Sequence, residues 1–245
     1  MKKIFVLMAI AATVLASCSK DNKGGKKSGK DDDNTEYVAP IKIDGNFEDW
    51  AKLDATKVAT ATCDPEATKT ALKVVKVYAD EVYVFVYFEW DKDQISFEKD
   101  VEHVPFHVYI NGDGNAATGG FGDQWSDACT DVMFEGFIYP DGVLGSYEPD
   151  IFKWVGETNG TGWEKCWEGL GAISGITAGA GIEGKYEFQI TRELYPLGKL
   201  ADNFSIGFDI QQAWDSVGIL PNAHVEEGVE GSTGLAASLQ VTTVK

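Results

Sequence analysis

The sequence predicts an all-β domain, an antiparallel β-sandwich that follows a signal peptide and a flexible tether. Three features carry this expectation. Apolar residues recur with a period close to two over most of the chain, glycine-containing turns separate these runs, and stretches with a helical period are scarce.

Each element follows from that period. Leu72 to Tyr78 and Val82 to Trp90 are rich in Val, Tyr and Phe and flank Ala79-Asp80-Glu81, which predicts a hairpin whose second strand is buried on both faces. Val104 to Ile110 is a further strand, and Met133 to Tyr139 leads through the tight turn Pro140-Asp141-Gly142 into its partner. Tyr186, Phe188 and Ile190 alternate with Lys185, Glu187 and Gln189, while Phe204, Ile206, Phe208 and Ile210 alternate with Ser205, Gly207 and Asp209. This is the pattern of strands with one wet face. Ile151 to Val155, Trp163 to Trp167 and Leu239 to Val244 complete the strand set. The one helical expectation is a single turn in which Thr191 caps Arg192-Glu193-Leu194 before Pro196 stops it.

Residues 1–17 read as a lipoprotein signal peptide. Lys2 and Lys3 precede an apolar run from Ile4 to Leu15 that is too short to span a bilayer comfortably and suits a signal-peptide core. The run ends in Leu15-Ala16-Ser17-Cys18, which resembles the lipobox of bacterial lipoproteins; the resemblance implies cleavage before Cys18 and acylation of its thiol. The alternative is a plain signal peptide with an incidental cysteine. A lipid anchor holds a protein on a membrane without spanning it. Residues 18–38 are then a lipidated, flexible tether, since from Ser19 to Glu36 no large apolar side chain is available to bury. Lys20, Lys23, Lys26, Lys27 and Lys30 read either as a solvated linker or as a contact for anionic headgroups, before Asp31, Asp32 and Asp33 reverse the sign. Ser19 after the acylated residue fits outer-membrane sorting by resemblance to known lipoproteins, with cell-surface exposure left open.

Residues 39–245 suffice for one domain with its own core, and no internal repeat divides them. The formal charge of the full chain is −18 at pH 7, and loss of Lys2 and Lys3 with the signal peptide takes it to −20. Nucleic acid is a poor partner for such a surface. Arg192 is the sole arginine, so no guanidinium cluster exists to clamp phosphate or carboxylate groups, and neutral ligands or cations fit better. Once Cys18 is acylated, Cys63, Cys129 and Cys166 remain; this odd count permits at most one internal disulfide, and no CxxC spacing suggests a metal cluster or redox pair.

Ile43-Asp44-Gly45-Asn46-Phe47-Glu48-Asp49-Trp50 resembles the opening of family-nine carbohydrate-binding modules and their DOMON-like relatives. Later pieces agree in order. Tyr78-Ala79-Asp80-Glu81-Val82-Tyr83-Val84 resembles their first hairpin, Tyr109 to Gly119 a strand-end loop of a lipoprotein branch, and Glu187 to Thr191 and Trp214 to Pro221 the closing strands. The resemblance covers nearly all of Pro40 to Lys245 and implies a sandwich fold, a carbohydrate ligand and, in many such modules, a structural calcium ion.

Asn111, Asp113 and Asn115 alternate with Gly112 and Gly114, a spacing that turns three oxygen-bearing side chains inward in a curled loop. Calcium takes about six to eight oxygens. The start resembles an EF-hand, but Ala116 replaces the sixth-position Gly and Gly122 the twelfth-position Glu, so a true EF-hand is excluded. Thr118 and Asp123 are the nearest further ligands, with Asp127 and Asp131 slightly beyond. The same pattern also suits an Asn/Asp/Gly turn whose side chains bond their own backbone.

Sugar rings present flat C–H faces that stack on indole, while their hydroxyls seek Asp, Asn, Gln and Glu. Trp50, Trp90, Trp154, Trp163 and Trp167 lie in or beside strand patterns and read as packing residues. Trp125, between Gln124 and Ser126 in a polar loop with Asp127 close by, reads as an exposed platform. Trp214, flanked by Gln211, Gln212 and Asp215 at a strand end, is the second candidate. Either indole is alternatively a loop anchor.

No catalytic residue is expected. His103, His107 and His224 are dispersed, no Gly-x-Ser-x-Gly or His-Glu-x-x-His pattern occurs, and sequence cannot show the carboxylate separation that a glycoside hydrolase needs. Some DOMON relatives hold haem through Met and His, for which Met133 with His103 or His107 would serve; each also reads as a packed strand residue. The expected function is therefore a noncatalytic, glycan-binding, membrane-anchored sandwich, with an adhesion or assembly module that binds protein as the alternative.

Overall fold

Strand alternation sorts the apolar residues onto two facing sheets. The structure, a computed structural model, describes residues 37–95, 104–120, 124–127, 129–139, 146–156, 166–172, 177–180, 184–194, 197–223 and 235–245. Strands β1 (Ala59–Thr62), β2 (Leu72–Ala79), β3 (Tyr83–Trp90), β9 (Lys185–Thr191) and β8 (Thr177–Ala180) form the smaller sheet in that order. Strands β13 (Asp215–Leu220), β12 (Asn203–Gln212), β4 (Val104–Asn111), β5 (Val132–Tyr139), β6 (Ser146–Trp154) and β7 (Trp167–Ala172) form the larger. Strand β14 (Leu239–Thr242) pairs with Asn203–Ile206, the half of the β12 edge that β13 leaves open. All these pairings are antiparallel, and the result is an all-β sandwich.

The core lies between the sheets. Val84, Val86 and Phe88 from β3 meet Phe106, Val108 and Ile110 from β4 and Phe204, Ile206 and Phe208 from β12. Phe88 stacks on Phe106 with ring centroids 4.5 Å apart, so the two sheets touch through aromatic faces. The expected hairpin is present as β2 and β3, and β3 is buried on both faces as its apolar run predicts. Ile151 to Val155 is the second half of β6 rather than a strand of its own. The turn Pro140-Asp141-Gly142 and most of Trp163 to Trp167 lie outside the described residues.

Two expectations are corrected. No helical turn follows Thr191: Arg192 donates its backbone N–H to Val82 O, and Glu193–Leu194 forms a short strand, β10, paired with β11 (Gly198–Lys199). The reason is Arg192 itself, whose buried Nη2 donates to the carbonyls of Leu200 (2.6 Å) and Ala201 (2.8 Å). A guanidinium that satisfies backbone acceptors across a turn holds the chain extended there. The expected wet faces of β9 and β12 are also covered, since Glu187 and Asp209 are fully buried.

Covering elements explain that burial. The segment before β1 carries a short helix, α1 (Glu48–Lys52), and packs Ile41, Phe47 and Trp50 against Tyr78, Phe85 and Tyr87 on the outer face of the smaller sheet. On the outer face of the larger sheet, Trp125 joins Tyr109, Met133, Cys166 and Trp167 in a second cluster. Cys63, Cys129 and Cys166 are free thiols. No helix among the described residues is long and apolar enough to cross a membrane.

Candidate functional site

The outer face of the larger sheet carries a polar row set by strand register. Asp209 on β12 lies opposite His107 on β4, which lies opposite Glu135 on β5, which lies opposite Asp150 on β6. Asp209 Oδ2 accepts from Gln211 Nε2 (2.8 Å) and Gln124 Nε2 (3.2 Å), and its Oδ1 accepts from the Ser216 hydroxyl. Burial raises the Asp209 pKa, and these donors oppose the rise.

His107 is only 4% exposed, and burial pushes its pKa down to about 4, so the imidazole is neutral at pH 7. Its Nδ1 lies 3.2 Å from both Tyr109 Oη and Gln211 Nε2. Because the Gln211 amide nitrogen already faces the Asp209 carboxylate, its second hydrogen points to Nδ1, which places the imidazole proton on Nε2. That Nε2 has no hydrogen-bond partner and stands 3.5 Å from Glu135 Oε2. Burial, and then the charge of Asp150, raise the Glu135 pKa.

Trp214 stands beside this row, against His107 and Phe137. Gln212 pairs with Asp215, leaving Ala213 and Trp214 as a two-residue loop with φ of 51° and 70°. Such loops favour Asn-Gly because both residues are left-handed, and each L side chain with a Cβ costs about 1–2 kcal/mol there. The strain holds an indole 56% exposed, with its ring 5.5 Å from Phe137, edge-on, and 6.2 Å from His107. Of the expected sugar contacts, Trp214, Gln212 and Asp215 are thus brought together at one hairpin tip, with Asp215 exposed.

Trp125 is corrected: it is 2% exposed, and its Nε1 donates to Pro221 O at 2.9 Å. It lies over Gly207, where an added Cβ would stand 2.5 Å from indole Cζ2. The polar sequence around it reflects where its neighbours bond rather than exposure. Gln124 donates to Asp209 and lines a cleft of about 190 Å³ with Lys69, Ile219 and Asn222. Asp127 accepts from Ser238 N (2.7 Å), tying its loop to the segment before β14 and away from Trp214.

The Asn/Asp/Gly loop is knit by its own groups. Asp113 Oδ1 accepts from Asn115 N (2.7 Å), Asp113 Oδ2 from Thr118 Oγ1 (2.9 Å), and Asn115 Oδ1 from Ala117 N (3.0 Å). Asp131 Oδ2 accepts from Gly112 N (2.9 Å) and Asp113 N (3.3 Å), and burial pushes its pKa up to about 6. Asn111 Oδ1 is buried without a hydrogen-bond partner. Asp123 lies outside the described residues, as do His103 and His224. Among the described residues, no group of three or more His, Cys, Asp or Glu stands ready to hold a metal. Met133 is fully buried in the cluster that contains Tyr109 and Trp125, packed as a strand residue.

The chain matches no protein-family model and no curated protein sequence. Glu135, Phe137, Asp209 and Ser216 escaped the sequence reading, which named Gln211 only as a flank of Trp214. Their signal was the alternation that set polar residues on strand faces, but only the register of four separate strands lines them up beside Trp214.

Proposed function

We propose that this is a membrane-anchored lipoprotein whose sandwich binds a glycan without cleaving it, on the outer face of the larger sheet around Trp214. The observation that carries the reading is the exposed indole held in a left-handed turn beside Phe137 and above the His107 row. Strained, exposed aromatics persist where function favours them over stability. Stacking on the indole with hydrogen bonding to polar groups beside it is the two-part chemistry by which a neutral sugar is recognised. The lipid anchor is proposed on Leu15-Ala16-Ser17-Cys18 alone, with the outer membrane as the site of anchoring.

A glycan array probed with the full chain tests the binding. Trp214→Ala should lose the hits by about five- to two-hundredfold in affinity, the range set by 1–3 kcal/mol of ring stacking. Hits that survive in the variant would remove Trp214 as the platform, and reducing ends released from a bound glycan would make the protein a hydrolase instead. For the anchor, label from a palmitate analogue should enter the wild-type chain and not Cys18→Ser; equal labelling of both ends the lipoprotein reading.

A structural calcium ion at the Asn111–Thr118 loop is part of the same proposal. It is supported by the buried, unpartnered Asn111 Oδ1 next to the Asp113 and Asp131 pair. If the ion binds only the folded state, calcium at ~100 times its dissociation constant adds about 2.7 kcal/mol. An identical melting curve in chelator and in millimolar calcium would reject it.

A further inference from the structure

The row beside Trp214 carries an unresolved charge. Glu135 and Asp150 lie directly opposite each other on β5 and β6, a cross-strand placement in which like charges repel. Among the described residues, no lysine or arginine pairs with either. The nearby Lys153 is held 2.9 Å from Glu168 on β7, and Arg192 is buried at the other sheet. Among the described residues, the only nitrogen within ion-pair distance of Glu135 is His107 Nε2, 3.5 Å away. His107 is more than nine-tenths buried, its Nε2 lacks a hydrogen-bond partner, and it is directed at this carboxylate. A neutral imidazole supplies a donor and no positive charge. Next to the carboxylates stand Phe137, two residues along β5 from Glu135, and the exposed face of Trp214, which together form an aromatic corner. A carboxylate pair without a cation, a buried imidazole N–H aimed at it but too far for a hydrogen bond, and an aromatic face call for one kind of guest. It must bring a cation and a flat apolar face at once.

We propose that the glycan bound at Trp214 carries a free amino group, so that an amino sugar is its ligand, its ammonium seated between Glu135 and Asp150. The inference rests on the reading of Trp214 as a glycan platform. The sugar ring covers the indole, and the ammonium neutralises the carboxylate pair at which His107 Nε2 is aimed. The acidic surface, net −18 with one arginine that is already committed to backbone carbonyls, favours such a ligand and disfavours uronic acids and sulfated sugars.

The test is calorimetric titration of the full chain with three short oligomers of one length: glucosamine, N-acetylglucosamine and glucose. The free amine should bind about tenfold more tightly than either neutral oligomer. Glu135→Gln and Asp150→Asn should each erase that preference, bringing the glucosamine oligomer to the affinity of the N-acetylglucosamine oligomer in the same variant. Glu48→Gln, which removes one charge from the helix on the opposite face of the sandwich, should retain the preference and so separates seating at this row from attraction to the overall charge. Trp214→Ala should weaken binding of every oligomer that wild type binds. Equal affinity for all three, or a preference that survives Glu135→Gln, overturns the amino-sugar assignment while the platform reading stands. Binding of none of the three, combined with an empty glycan array, overturns both.

Discussion

Trp50 Nε1 donates to Glu187 Oε2 at 2.9 Å across 137 residues of sequence, and the same carboxylate accepts the backbone N–H groups of Asp44 (3.2 Å) and Gly45 (2.9 Å) on its other oxygen. One buried side chain on β9 thus fastens the segment that covers the smaller sheet. Glu187→Ala leaves three donors without their acceptor, and a loss of about 2–4 kcal/mol in urea unfolding is expected. Glu187→Gln keeps one acceptor oxygen and should cost less. If the two variants unfold alike and near wild type, the carboxylate is not what holds the segment.

The buried Trp125 sets a second expectation. Trp125→Ala should cost about 3–5 kcal/mol of stability, the range for emptying a core tryptophan site. Gly207→Ala should also destabilise, because its Cβ would meet indole Cζ2 at 2.5 Å. Combining the two should cost less than the sum of the single effects, since removing the indole removes the clash. Strict additivity in thermal melts would mean that the two positions do not share this contact.

Trp214 should behave in the opposite way. Glycine accepts the left-handed backbone that Trp214 adopts at φ 70°, so Trp214→Gly should leave stability unchanged or raise it by up to about 1 kcal/mol. The same substitution should weaken glycan binding as much as Trp214→Ala does. A variant that melts early would show that the indole packs more than it projects.

Acid should unmask His107. Its folded pKa of about 4 lies below the value of about 6.5 expected for the unfolded chain. The contribution of the neutral ring is therefore complete above the unfolded value and is lost as the pH falls through the window down to about 4. His107→Gln should flatten the stability profile there by about 2–3 kcal/mol relative to wild type. Glu135 and Asp209, whose pKa values are raised, act in the opposite sense, so the informative quantity is the difference between the two profiles. Parallel profiles would mean that His107 titrates normally.

Local pattern made the strands legible. Val84 to Phe88 is apolar at every position because both faces of β3 are covered, and Phe204, Ile206, Phe208 and Ile210 alternate because only one face of β12 meets the core. The same alternation misled at Asp209 and Glu187, whose polar identity reads as solvent-facing. Each is instead buried by partners from distant segments, Gln124 for Asp209 and Trp50 for Glu187. Trp125 misled for the same reason, because its neighbours in sequence are polar while its neighbours in space are Tyr109, Gly207 and Pro221. At the candidate site, Trp214 was visible as an aromatic at a strand end. The row beside it was not, because register between strands is a property of pairing that no single strand encodes.

The fastening at Glu187 has a mechanical side. Among the described residues from Ala39 to Val58, backbone hydrogen bonds are local, such as Trp50 N to Phe47 O, Lys57 N to Asp54 O and Val58 N to Ala55 O, and none joins a strand ladder. Tension arriving along the chain from the N-terminal side therefore loads side-chain contacts first, and next β1, a four-residue strand bonded along one edge to β2. Pulled between its two ends, the protein should pay out the 39–58 segment in a short, low-force step before the sheets part, and Glu187→Ala should lower the force of that step alone. The covering segment then acts as a shock absorber, able to yield and re-seat under drag while the face that carries Trp214 keeps its shape.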